Sequence, residues 1–281
     1  MSLTPYALDE ALALRAADPS ATVVAGGTDV MVGVNLGRLH PTSLLDLSRV
    51  SALAEWRRDA DRLSVGAGVT FARLARELPE AEALAAAAAT VGSAQVRNRA
   101  TLGGNLVTAS PAGDGLAALA AYDAEIVLAS ARGTRSLPWR AFLTGPKRTA
   151  LAPDELLIAA EWRPARGRGV FLKIGPRSAM VIAVASVCLQ LDEDAHTARL
   201  ALGSVGPTVL RAPAAEALAA TLDWDAPDDR ALEELGRLAA LAARPIDDLR
   251  GSAAYRRRAV EVLTRRAFAA AFAGRALEAA A

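Results

Sequence analysis

The sequence predicts an α+β protein in three parts, and three patterns carry that prediction. Residues 1–55 alternate helical and strand-like segments, as a small α/β unit does. Residues 56–168 are dominated by short apolar strands with helical segments on their flanks. Residues 169–281 open on strands and close on three helical segments, so the two kinds of element are segregated there.

In the first part, Leu8, Ala11 and Leu12 recur at helical spacing within Ala7 to Ala16, and the pattern stops at Asp18-Pro19-Ser20. Thr22-Val23-Val24 reads as a buried strand, broken at once by Ala25-Gly26-Gly27-Thr28-Asp29. Val30 to Leu36 reads as a short helix that Thr28 or Asp29 can cap, and Leu44 to Leu47 as the next strand. In the second part, Arg62 to Ala67 is a strand, and Phe71 to Leu78 and Glu80 to Val91 are helices. Glu125 to Ala129 and Thr134 to Leu137 form a hairpin about Arg132-Gly133. Glu155 to Trp162 and Gly169 to Ile174 read as the next strand pair. In the third part, Val181 to Leu191 and Thr197 to Ser204 are strands either side of the acidic turn Asp192-Glu193-Asp194. Helices follow at Ala212 to Leu222, Asp228 to Ala242 and Ser252 to Phe272. The last sets Tyr255, Ala259, Val262 and Leu263 at helical spacing, with Arg256, Arg257, Arg258, Arg265 and Arg266 between them. Those arginines read first as a solvated face, and more sharply as a surface for an acidic partner.

Composition narrows the function classes. The chain has 281 residues, enough to bury a sizeable core, and is 52% apolar but only 4% aromatic, which favours alanine-rich helices. A net charge of +1 and the lack of a nucleic-acid-binding motif point away from nucleic acid and from membrane surfaces. No apolar run reaches the length of a membrane span. The start, Met1-Ser2-Leu3-Thr4-Pro5, lacks the basic and apolar regions of a signal peptide, so a reducing cytoplasm is the expected location. The single cysteine, Cys188, excludes an internal disulfide and a thiolate-held iron–sulfur cluster, and reads as a small buried hydrophobe. His40 and His196 read as loop and hairpin residues, which leaves no triad or metal set.

Two glycine segments remain. Gly103-Gly104, flanked by Thr101 and Asn105, forms a turn that can aim several N–H groups at an anion. Ser110-Pro111 beyond it has the grammar of a helix start, continued by Leu116 to Tyr122. Ala25 to Asp29 is a second such segment, between strand and helix. One glycine pair alone is most often a turn between packed elements. Two pairs suit a pyrophosphate carrying an adenosine, yet neither is the Gly-x-Gly-x-x-Gly of a Rossmann unit, so a dinucleotide here needs another fold. Asp114 is either an acceptor for ribose hydroxyls or a carboxylate favoured near a helix N-terminus, and position alone favours the second. Lys173, one of two lysines, suits a phosphate or a reduced flavin, or keeps an edge strand soluble.

These residues resemble a family. Ala25-Gly26-Gly27-Thr28-Asp29 together with Val91-Gly92, Gln95-Val96-Arg97-Asn98 and Ala100-Thr101-Leu102-Gly103-Gly104-Asn105 is similar to the flavin-binding medium subunit of the molybdenum hydroxylases, the family of xanthine dehydrogenase and aerobic carbon monoxide dehydrogenase. The resemblance continues through Ala109-Ser110-Pro111 and Asp114, Asp154 to Leu157, Lys173, Gly175 and Arg177, and Ser252-Ala253 with Tyr255-Arg256-Arg257. It implies a two-lobed FAD-binding domain of the vanillyl-alcohol-oxidase (PCMH) type, residues 1–55 and 56–168, plus a C-terminal domain of a small antiparallel sheet and helices.

Carried over residue by residue, the resemblance implies that Ala25, Gly26, Gly27, Thr28, Asp29, Thr101, Gly103, Gly104 and Asn105 line the FAD pyrophosphate. It places Ser110 and Asp114 on the ribityl or ribose side, Leu157 near the adenine, Lys173 at the isoalloxazine and Ile182 at its redox-active edge. It implies electron transfer from [2Fe–2S] clusters of a small partner subunit, fed by a molybdenum cofactor on a large one, to NAD⁺, oxygen or a quinone. The implied assembly is a dimer of heterotrimers. Two departures stand out. Val181 precedes Ile182-Ala183 where the family commonly has an acidic residue, and the cysteine-rich loop of relatives that reduce aromatic CoA thioesters is absent. A stand-alone flavin oxidoreductase of the same fold and a scaffold subunit that binds no flavin are the alternatives.

Overall fold

The computed structural model describes residues 2–273, so residues 274–281 of the expected third part lie outside the described residues. Among the described residues the strands form sheets of three, five and four strands and one two-stranded ribbon. The α+β expectation holds.

The N-terminal elements are β1 (Ser2–Leu3), α1 (Leu8–Ala17), β2 (Thr22–Val24), α2 (Val30–Asn35) and β3 (Leu44–Asp46). The sheet order is β1-β3-β2 and both pairings are parallel, so β2, α2 and β3 make a βαβ unit. Its core, Ala11, Leu45, Leu47, Val50 and Leu53, closes on Leu156 from the next sheet.

That next sheet is antiparallel, in the order β4 (Trp56–Asp59), β5 (Arg62–Gly66), β10 (Leu156–Trp162), β6 (Glu125–Ser130), β7 (Gly133–Pro138). Between β5 and β6 run α3 (Phe71–Glu77), α4 (Glu82–Ala89), α5 (Ala94–Arg97), α6 (Leu102–Thr108) and α7 (Asp114–Ala121). After β7 come α8 (Trp139–Phe142) and the ribbon of β8 (Leu143–Gly145) and β9 (Arg148–Thr149). Tyr122 ties the layers together: its hydroxyl accepts the Leu84 N–H at 3.0 Å, and its ring stacks on Trp162 with centroids 5.0 Å apart.

The last sheet is antiparallel, β11 (Gly169–Ile174), β12 (Ala185–Asp192), β13 (Thr197–Gly203) and β14 (Leu210–Arg211), followed by α9 (Pro213–Ala219), α10 (Asp229–Ala242) and α11 (Ala253–Phe272). β12 is covered on both faces. Val187, Leu189 and Leu191 pack on the core under α9, α10 and α11, whereas Cys188 faces the middle core. This explains why the strand reads as a nearly continuous apolar run. Burial also holds the Cys188 thiol well above the ordinary range, which fits its reading as a small hydrophobe.

Several local expectations are corrected. Gly103-Gly104 is not a turn ahead of a helix: both lie in the first turn of α6, and the Thr101 hydroxyl accepts the Gly104 N–H at 3.1 Å as its N-cap. Ser110-Pro111 does not start a helix. α6 ends at Ala109 in a left-handed conformation (φ 44°), the next residues form a turn, and α7 begins at Asp114 with Gly113 as N-cap. The segments at 155–162 and 169–174 are not a pair, because β10 sits between β5 and β6 while β11 pairs with β12. Residues 181–184 stay outside β12. Arg256 is not on a solvated face; it is buried, with one guanidinium nitrogen donating to the carbonyls of Val184 at 2.7 Å and Ser204 at 2.8 Å.

Candidate functional site

The first glycine segment is a turn that follows β2. Gly27 adopts φ +77°, open to glycine at low cost. A Cβ on Gly26 would lie 1.9 Å from the carbonyl oxygen of Arg99, so Gly26 is glycine because the backbone before α6 passes directly against it. That contact joins the two glycine segments, 77 residues apart in the case of Gly26 and Gly103 by numbering. Among the described residues the N–H groups of Gly26, Gly27 and Thr28 meet no protein acceptor. They border a cavity of about 450 Å³ lined by Val24, Met31, Asp46 and Arg99 among others.

The second segment is differently employed. The N–H of Leu102 donates to Val69 at 3.0 Å, that of Gly103 to Ala67 at 2.8 Å and that of Gly104 to Thr101. These amides are already bonded, so the expectation that this segment forms an open anion nest is not met. What it offers is space. A Cβ on Gly103 would strike Ala67 at 2.6 Å, whereas one on the exposed Gly104 would meet only the Thr101 hydroxyl, at 3.1 Å.

Asp114, Lys173 and the segment carrying Ile182 form a second cluster. The Lys173 ammonium donates to Asp114 Oδ2 at 2.6 Å, to the Thr90 carbonyl at 2.9 Å and to the Val181 carbonyl at 3.4 Å. Burial pushes the Asp114 carboxyl above its ordinary value; the Lys173 charge opposes this without reversing it. The other Asp114 oxygen, Oδ1, is buried without a partner, as is Oδ1 of Asn105. Asn105 packs beside Gly113 and Gly115 at the start of α7.

The remaining candidates are spread out. Ala25 is half-buried, Asp29 is exposed, and the Ser110 hydroxyl accepts the Ala112 N–H at 3.3 Å. Leu157 is buried in the middle core, and Ile182 is 55% exposed. Thr90, Asp46 and Arg99 were not singled out by the sequence. Arg99 falls at the position the resemblance skips between Asn98 and Ala100, though a second arginine beside Arg97 could have been noticed; a backbone carbonyl such as that of Thr90 leaves no sequence signal.

An FAD-like ligand fits this chemistry. Open amides on a positive-φ glycine suit phosphate oxygens, Gly104 leaves room for close approach, and the orphaned Asp114 Oδ1 suits a hydroxyl donor. Among the described residues no cluster of His, Cys, Asp or Glu could hold a metal ion, and no helix is long and apolar enough to cross a membrane.

The fold and this site define a flavoprotein. Residues 2–161 match the family of the FAD binding domain in molybdopterin dehydrogenase, and residues 170–271 match the CO dehydrogenase flavoprotein C-terminal domain. The chain belongs to this family of oxidoreductase subunits. It is 29% identical over 279 residues to the xanthine dehydrogenase FAD-binding subunit of Escherichia coli O157:H7, covering 95% of this chain and 94% of that one. It is 34% identical over 190 residues to the nicotinate dehydrogenase FAD-subunit of Eubacterium barkeri, a match that spans 64% of each chain. Among solved structures, a chain of quinoline 2-oxidoreductase from Pseudomonas putida 86 superposes with a TM-score of 0.90 at 28% identity, covering 97% of this chain and 96% of that one. Carbon monoxide dehydrogenase from Hydrogenophaga pseudoflava gives 0.89 at 28% identity, covering 98% of each.

Proposed function

We propose that this chain is the FAD-carrying electron-transfer subunit of a heterotrimeric molybdenum hydroxylase. In this reading it stands between [2Fe–2S] clusters on a small partner subunit, fed by a molybdenum cofactor on a large one, and an external acceptor: NAD⁺, oxygen or a quinone. The assembly is a dimer of heterotrimers in the cytoplasm. The bound flavin supplies redox chemistry that amino-acid side chains lack.

The observation that carries the reading is the junction at Gly26 and Arg99. There a turn with open amides lies against the backbone that leads into α6 and the uncovered Gly104. The chain's own residues then divide the work. Gly26, Gly27 and Thr28 donate N–H groups to phosphate, and Gly104 admits its approach. Asp114 Oδ1 accepts from a hydroxyl, and Lys173 holds the Asp114 carboxylate in place while reaching the Val181 carbonyl beside Ile182. A lone buried Cys188 supplies no cluster ligands, which fits iron–sulfur centres residing on a partner.

The test is an absorption spectrum of the purified chain, followed by heat or acid release of its chromophore. Two flavin bands and released FAD are expected. A colourless chain that takes up no added FAD, with or without the iron–sulfur partner, would sink the proposal in favour of a scaffold role.

A further inference from the structure

We infer that Arg99 binds the pyrophosphate of the dinucleotide, a role that rests on the FAD reading above. Of the two arginines in Arg97-Asn98-Arg99, Arg97 is spent inside the protein: one nitrogen donates to the carbonyls of Val91 and Gly92, each at 3.1 Å. The Arg99 side chain is exposed, and its guanidinium has no hydrogen-bond or ion-pair partner among the described residues. Its backbone, by contrast, is fixed. The Arg99 N–H donates to the Val96 carbonyl at 3.0 Å, and its own carbonyl lies against Gly26.

Arg99, with its backbone fixed and its guanidinium unpaired, is a lining residue of the same cavity of about 450 Å³ as Gly26, Gly27 and Thr28. Neutral amides orient an anion but carry only partial charge. A pyrophosphate diester brings two negative charges, and the acidic residue Asp46 is among those lining the same cavity. Among the described residues that line the cavity, Arg99 is the one basic residue. Its planar fork can bond two phosphate oxygens at once, which an ammonium cannot. The amides set the direction of the pyrophosphate, and Arg99 neutralises it.

The test titrates the full chain, as purified with any partner subunits it carries and stripped of flavin, with FAD, ADP and riboflavin. Wild type, Arg99→Gln and Arg99→Lys are compared at low and high salt. Arg99→Gln should raise the Kd for FAD and ADP by roughly tenfold to a hundredfold, the loss of one charge-assisted contact. It should leave riboflavin, which has no phosphate, unchanged, and flatten the salt dependence of FAD binding. Arg99→Lys should fall between the two. Equal FAD and ADP affinities in wild type and Arg99→Gln would overturn the assignment while leaving the FAD reading intact. Equal weakening of all three ligands would overturn it too, by placing Arg99 in the architecture rather than on the phosphates. A wild-type chain that binds none of them would remove the FAD reading, and this inference with it.

Discussion

The Lys173 ammonium lies 2.6 Å from Asp114 Oδ2, with both side chains less than a tenth exposed. The pair fastens the first turn of α7 to β11 and, through the Val181 carbonyl, to the segment that precedes β12. Neither partner is comfortable without the other, because a buried charge that loses its counterion keeps its desolvation cost.

Lys173→Met should therefore cost about 3–5 kcal/mol of stability, read as a lowered urea midpoint at unchanged slope. Adding Asp114→Leu should recover most of that loss, since the lone carboxylate is gone. A single variant as stable as wild type would show that the pair contributes nothing to folding.

Gly26 and Gly104 should respond oppositely to substitution. Gly26→Ala places a methyl 1.9 Å from a backbone oxygen, so the turn or the approach to α6 must shift, and thermal stability should fall clearly. The Cβ of Gly104→Val meets only the Thr101 hydroxyl, at 3.1 Å, so the variant should melt closer to wild type than Gly26→Ala does, yet a β-branched side chain there should abolish FAD binding. Circular dichroism melts and flavin content per chain separate the two. A full flavin complement in Gly104→Val would show that the ligand does not pass this face.

Arg256 should behave as an internal strut. Besides the Val184 and Ser204 carbonyls it holds Asp248 at 2.6 Å. Arg256→Ala leaves two buried carbonyls without their donor and takes one of two arginine partners from Asp248, which keeps Arg250, and about 3 kcal/mol or more should be lost. Hydrogen exchange should quicken at residues 184–186, where β12 begins. Unchanged protection there would place Arg256 outside the support of that strand.

Glu155 sets part of the acid limb of stability. It accepts two hydrogen bonds from Arg135, at 2.6 and 2.7 Å, and the Ala152 N–H at 2.8 Å. The Arg135 hydrogen bonds, before all else, hold its carboxyl below the ordinary value of 4.5. A depressed carboxylate contributes stability above its unfolded value and loses it as the pH falls through the folded one. Glu155→Gln should be less stable than wild type at pH 7, and the gap should close on acidification below about pH 4.5. Denaturant curves at several pH values measure this; a gap independent of pH would assign the loss to packing instead.

Much of the architecture was legible because its signals are local. The apolar run from Glu125 to Ala129 and the Arg132-Gly133 turn marked the β6–β7 hairpin, and the acidic turn marked β12–β13. Asp228 and Ser252 each accept an N–H from the first turn of their helix, and both stood at the expected starts. Ser110 shows where local grammar fails. Its hydroxyl closes a turn instead, because Ala109 has already ended α6 in a left-handed conformation. The burial of Arg256 was also latent in the spacing, since it stands on one helical stripe with Val260, Leu263 and Ala267.

The sequence by itself determined the α+β pattern, the family of the chain and the two glycine segments as its conspicuous features. The tertiary structure alone decided what each glycine is for, and that Asp114 and Lys173 meet. Gly26 answers to a carbonyl at Arg99, and Lys173 to a carboxylate 59 residues away. Local patterns record which residues can turn, cap or bury. Contacts between distant segments depend on how the sheets and helices pack, and no short window of sequence carries that information.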